Sequence, residues 1–137
     1  MRRLPAFFAL LALTGCGDPP EPMNGDFTLE LVSFAPHEGQ LVAYSLRNES
    51  GFELASGSGT VSGETLTFTE PGLTWSDRAY DLYFFADFNE DGVCSPPPSD
   101  HVWGLMALSP SSSGDLTVEY AHDIDFFDGC EFLPLSP

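Results

Sequence analysis

The chain of 137 residues contains no lysine, and its four basic residues, all arginines, stand against 21 aspartates and glutamates. The formal net charge at pH 7 is −17. A surface of this sign repels the phosphates of nucleic acids and the anionic headgroups of lipids, which argues against nucleic-acid binding and against electrostatic membrane attachment. A cation or a basic protein is favoured as a partner. The acidity has a second interpretation, because carboxylates also keep a protein soluble.

The usual sequence signatures of catalysis are also missing. No Gly-x-Ser-x-Gly elbow, His-Glu-x-x-His motif or Cys-x-x-Cys pair occurs. His37, His101 and His122 are the three candidate bases, and each is expected at the surface or at a strand end. A transition-metal site of His101, His122 and nearby acids is an alternative, since strands bring distant residues together. We predict no enzymatic activity, with a metal-dependent hydrolase as the alternative.

Long hydrophobic segments are absent too. The apolar run at residues 4–13 has about half of the roughly 20 residues that span a bilayer. Two arginines precede it, so it suits the apolar core of an export signal. The following Leu13-Thr14-Gly15-Cys16 resembles the bacterial lipoprotein signal, in which small residues precede a cysteine that becomes the lipid-bearing first residue. The resemblance implies lipidation of Cys16; the alternative is an ordinary signal peptide.

These features divide the chain into three parts. We predict a lipoprotein signal peptide at residues 1–15, a lipidated cysteine with a flexible tether at 16–25, and one domain at 26–137. The tether is rich in proline and acids and has no apolar periodicity. The expected location is the bacterial cell envelope, where the exported protein is lipid-anchored on the periplasmic or the cell-surface side.

From Asp26 onward, apolar and polar residues alternate, and no stretch of the mature chain carries a helical stripe. The predicted strands are residues 27–34, 41–46, 65–69, 80–87, 101–108 and 116–123, with a weaker edge segment at 52–61. Turn-forming residues recur between them. The pattern predicts an all-β, antiparallel sandwich of six to seven strands, with immunoglobulin-like or transthyretin-like topology.

The segment Asp87-Phe88-Asn89-Glu90-Asp91-Gly92-Val93 has the spacing of a calcium-binding loop, with oxygen ligands at positions 1, 3, 5 and 7. Position 12, which is Glu in an EF-hand, is Pro98, so this is not an EF-hand. The predicted calcium ligands are Asp87, Asn89, Asp91, the Val93 carbonyl and, beyond the prolines, Asp100. The alternative is a polar turn that binds nothing.

The wider segment from Tyr80 to Trp103 resembles a motif of small exported bacterial proteins of uncharacterised function with transthyretin-like sandwiches. In them a Tyr-containing strand runs into Asp-x-Asn-x-Asn/Asp-Gly and then into a loop with prolines and an acid. The resemblance assigns residues 87–92 to that loop and Asp100 to its acid. Cys94 has no counterpart in the pattern, and the resemblance implies no activity.

With Cys16 assigned to lipid, Cys94 and Cys130 remain, and export favours a disulfide between them. Two free thiols are the alternative. Such a bridge brings the tail beside the calcium loop, so we expect an additional ligand from Asp123, Asp125 or Asp128.

Together these features predict a lipid-anchored, calcium-stabilised β-sandwich that serves as a binding or structural module of the envelope. The alternative is a carbohydrate-binding domain that stacks sugars on an exposed Trp75 or Trp103. The partner is then a glycan rather than a basic protein.

Overall fold

The computed structural model describes residues 17–133, so the predicted signal peptide and Cys16 lie outside the described part. The strands are β1 (Asn24–Val32), β2 (Leu41–Asn48), β3 (Glu53–Thr60), β4 (Leu66–Trp75), β5 (Tyr80–Ala86), β6 (His101–Leu108) and β7 (Leu116–Ala121). Two short 3-10 helices, Ala35–His37 and Cys130–Phe132, complete the described structure. Within residues 17–133, no helix has the length and apolar character needed to cross a bilayer.

The seven strands form two sheets, ordered β4-β1-β7 and β3-β2-β5-β6, which confirms the predicted all-β sandwich. Every pairing is antiparallel except that of β1 with β7, which is parallel. The sequence did not predict this exception. Parallel pairing needs a long connection, so it joins strands far apart in sequence, and no local pattern shows that β1 and β7 are neighbours. β1 also begins at Asn24, inside the predicted tether, because Asn24 and Gly25 pair with β4.

The core lies between the two sheets and follows the alternation seen in the sequence. The fully buried members of this core with the largest side chains are Trp103, Tyr44, Tyr80, Phe27, Phe34, Phe84, Leu29, Leu31, Leu46 and Leu82. Burying one large apolar side chain contributes roughly 1.5–3 kcal/mol, so this layer is the main source of stability. On β1 the buried residues are every second one, as a strand with one inward face requires.

A second, smaller apolar layer covers the outward face of the four-stranded sheet. Tyr83 and Phe85 of β5 point into it, and the C-terminal segment packs over them. The Phe132 ring stacks on Tyr83 with centroids 4.6 Å apart. The predicted disulfide joins Cys94 to Cys130, with their Cα atoms 5.6 Å apart, and so ties this segment to the loop after β5. The tail is therefore part of the domain.

The pairings place several segment ends at one end of the sandwich, which we call the histidine end. β1 and β7 run in parallel and finish together, and the His122 amide continues their pairing by donating to the Val32 carbonyl at 3.1 Å. On the other sheet, β5 finishes at Ala86, which pairs with His101, the first residue of β6. Residues that follow β1, β5 and β7 therefore meet there.

Candidate metal sites

The loop between β5 and β6 gathers three carboxylates. Asp87, Asp91 and Asp100 each place one oxygen within 4.8 Å of the others. Asp87 is 5% exposed and Asp100 is fully buried, whereas Asp91 faces solvent. The structure thus brings together three of the five predicted calcium ligands, two of which are buried.

Backbone amides hold the two buried carboxylates in place. Asp87 accepts from the amides of Asp91 at 3.1 Å and Gly92 at 2.8 Å. Gly92 has φ +78°, a conformation in which glycine has no steric penalty. An ionised carboxylate has about four lone-pair sites, so these bonds leave acceptor capacity for a cation.

Asp100 accepts three backbone hydrogen bonds, from Phe88 at 2.9 Å, Asn89 at 3.3 Å and Ser95 at 2.7 Å. Burial raises the pKa of Asp100, and the negative charge of Asp87 raises it further, while the three amides act in the opposite direction. The charged form is thus disfavoured by its surroundings on balance. A bound cation is one means of stabilising it.

The side chain of Asn89 and the backbone N–H of Val93 contact Asp91. The Asn89 amide donates to Asp91 at 3.0 Å, and the Val93 backbone N–H donates to Asp91 at 2.9 Å. Among the described residues, no tail carboxylate belongs to this group, contrary to our expectation. Asp123 instead accepts from the Trp103 indole N–H at 3.2 Å and from the Tyr120 hydroxyl at 2.6 Å.

A second cluster contains all three histidines of the chain. The Nε2 atom of His37 lies 3.1 Å from Nδ1 of His101 and 3.2 Å from Nε2 of His122. His101 and His122 are the predicted pair, but no acid belongs to this cluster in the described chain. The expectation that His37 lies at the surface or a strand end is wrong, because it is fully buried in the 3-10 helix after β1.

Two of the three imidazoles are also held by neighbours outside the cluster. Nδ1 of His37 lies 2.7 Å from the side-chain oxygen of Gln40. The His101 ring is stacked between Phe88, with centroids 4.9 Å apart, and Phe126, at 4.1 Å. These contacts leave the rings little freedom to turn.

The protonation of two of the imidazoles is shifted toward the neutral form. Burial lowers the pKa of His37, with a smaller lowering from His122, while the hydrogen bond to Gln40 acts in the opposite direction. Burial also lowers the pKa of His101, and His37 and His122 lower it further. Neutral imidazole is the form that binds metal ions.

The two tryptophans differ in exposure. Trp103 is only 1% exposed and stacks on Phe84 with centroids 5.3 Å apart. The proposal of an exposed Trp103 as a sugar platform is therefore wrong, because the β6 side chain faces the core. Trp75 is 37% exposed, and the Arg78 guanidinium lies 5.8 Å from the centre of its ring.

No protein-family model and no curated protein match this chain. Among solved structures, it is similar to a fimbrial assembly protein from Parabacteroides distasonis, with a TM-score of 0.38 and 9% sequence identity. The match covers 74% of this chain and 53% of that one, so this chain spans about half of its length. The likeness is too slight to bear on function. The fold is a β-sandwich with two clusters of side chains at one end whose atoms are of the kinds that can bind metal ions.

Proposed function

We propose that this protein is a lipid-anchored, calcium-stabilised β-sandwich that serves as a binding or structural module of the bacterial cell envelope and not as an enzyme. The observation that carries the calcium part is the convergence of Asp87, Asp91 and Asp100, two of them buried. Three carboxylates this close together, two of them buried, repel one another unless they are protonated or bind a cation.

Within residues 17–133, no arginine supplies that compensation. In the described part of the chain, the ion pairs are Arg47 with Glu53 at 3.8 Å and Arg78 with Asp77 at 3.9 Å. Neither involves the loop. Calcium takes 6–8 oxygen ligands. Asp87, Asp91 and Asp100 would supply the first of them, and the Asn89 side chain, the Val93 carbonyl and one or two waters would supply the rest.

The envelope part of the proposal rests on the N-terminal signal and on the disulfide. Leu13-Thr14-Gly15-Cys16 has the form of a lipidation signal, and a Cys94–Cys130 bond suits an oxidising compartment. The acidic surface favours a basic protein as partner, and a glycan is the second class.

Thermal denaturation of the untagged protein tests the calcium proposal. Calcium binds the folded state alone, so a free concentration about 100 times the Kd adds about 2.7 kcal/mol of stability. Asp91→Ala should abolish this gain with little effect on the fold, since Asp91 is exposed. Asp77→Ala, which removes an equally negative carboxylate outside the loop, is the matched control and should keep it.

The comparison ions are magnesium at equal concentration and sodium chloride at matched ionic strength. A calcium effect no larger than theirs would show that the loop is only a turn. A gain that survives in Asp91→Ala would place the calcium ion elsewhere.

A further inference from the structure

The histidine cluster is distinct in chemistry from the acidic loop, although both lie at the histidine end. Imidazole nitrogen suits zinc, copper, nickel and iron, whereas calcium requires oxygen ligands. We propose that His37, His101 and His122 form a binding site for one divalent transition-metal ion such as zinc. This site is additional to the calcium loop, and neither depends on the other for its ligands.

The separations of the ring nitrogens fit coordination of a single ion. In a tetrahedral zinc site each nitrogen lies 2.0–2.1 Å from the metal, so two nitrogen ligands lie about 3.3 Å apart. Nε2 of His37 lies 3.1 and 3.2 Å from the nearest nitrogens of the other two rings. The three ligand nitrogens all lie within 4.8 Å of one another, so small shifts of the His101 and His122 rings would let all three bind one ion.

Hydrogen bonding alone accounts less well for the same arrangement. A neutral His37 that donates its Nδ1–H to Gln40 has one lone pair, on Nε2. Nitrogens of both His101 and His122 lie at hydrogen-bonding distance from that one atom. One lone pair suits one donor, whereas a metal ion uses one lone pair from each of the three rings.

The surroundings resemble the outer shell that orients metal ligands. The Gln40 oxygen fixes which nitrogen of His37 faces the cluster, as the second partner of a metal-binding histidine commonly does. Phe88 and Phe126 hold the His101 ring between them. His37 is buried, whereas His101 and His122 are partly exposed, so an ion can enter from their side.

Three protein ligands leave one position of a tetrahedral ion free. In proteins that position is taken by water or by an incoming ligand. The site would therefore present a metal ion with one exchangeable position at the end of the sandwich.

Zinc titration by calorimetry and cobalt absorption spectroscopy test this proposal on the untagged full-length chain, because a polyhistidine tag would bind both metals. We expect one zinc per chain and, with cobalt, the intense visible bands of tetrahedral coordination, which excess calcium does not remove. His122→Ala and His101→Ala should each weaken zinc binding by at least about 100-fold. These two are chosen because they are partly exposed, whereas His37 is fully buried.

Two further variants separate this site from the acidic loop. Gln40→Ala should weaken zinc binding by about 10- to 100-fold, the usual effect of losing an outer-shell partner. Asp91→Ala should leave zinc binding unchanged while it abolishes the calcium effect.

The proposal is overturned if the wild-type chain takes up no stoichiometric zinc, or if His122→Ala binds zinc as tightly as the wild type. It is also overturned if Asp91→Ala loses zinc, because the ion would then lie in the acidic loop. The cobalt spectrum of the wild type needs no variant, so a variant that fails to fold does not prevent the decision. A failure here leaves the calcium proposal standing, since that is tested with a different ion and a different measurement.

Discussion

Removing the Cys94–Cys130 bond tests how much of the domain depends on its C-terminal tail. The two cysteines are 36 residues apart in sequence. In the chain-entropy model, opening a loop of this length destabilises the folded state by about 4 kcal/mol. For a domain of this size, that corresponds to a fall in melting temperature of about 15 °C.

The structure also indicates which part of the domain unfolds first when the bond is removed. Without the bond, the tail is held over β5 by apolar contacts such as the stacking of Phe132 on Tyr83. We therefore expect the outward layer to open before the core between the sheets, and the amides of residues 127–133 to exchange with solvent much faster than those of β1.

The assay compares the wild type with a Cys94→Ala, Cys130→Ala double variant by circular dichroism melting and hydrogen exchange. Cys16→Ser is the control, because it leaves the bond intact and should melt as the wild type does. Intact mass should rise by two hydrogens on reduction. Two alkylatable thiols in the native protein, or a melting temperature within about 3 °C of the wild type for the double variant, would refute the reasoning.

Three further changes have expected outcomes. Cys16→Ser should release the protein from membranes, because a polar, acidic tether cannot hold a bilayer; retention after a salt wash would contradict lipidation. Gly104→Ala should cost about 1–3 kcal/mol in urea denaturation, because the new Cβ atom would lie 3.0 Å from the Phe127 ring; an unchanged midpoint would show that the tail shifts freely. Asp115→Asn should reduce stability at pH 7, because the amide of Asp26 and the hydroxyl of Ser113 lower the pKa of Asp115 below its usual range. That contribution is present above the unfolded pKa of about 3.9 and is lost as the pH falls through the folded pKa. The difference in unfolding free energy between Asp115→Asn and the wild type should therefore become smaller in acid. A difference that does not change with pH would show that the charge is not its source.

Local patterns in the sequence were sufficient for the presence of each strand and for the disulfide, although β4 extends to Trp75, well past the predicted end at residue 69. The alternation of Phe27, Leu29 and Leu31 identifies the buried face of β1, since a strand has a period of two. Cys94 and Cys130 leave one intramolecular pairing once Cys16 is assigned to lipid. The grouping of Asp87 with Asp91 was predictable because both lie within one loop.

The histidine cluster was not predictable in full, because it depends on which strands are neighbours. His37 and His122 are 85 residues apart and meet only because β1 and β7 lie side by side in parallel. Alternation tells which face of a strand is buried but not which strand pairs with it. Trp103 is a similar case, since the pattern of β6 does not distinguish its two faces.

The parallel pair of β1 and β7 also determines which end of the domain is presented to the surroundings. The chain enters β1 at Asn24 and reaches the histidine end at Val32, roughly 26 Å further along the strand at about 3.3 Å per residue. If Cys16 carries lipid, the tether connects to the domain at Asn24, which is the end opposite the two clusters. The histidine end, with both proposed ion-binding groups, would then lie at the end of the domain farther from the point of attachment and would face away from the bilayer surface.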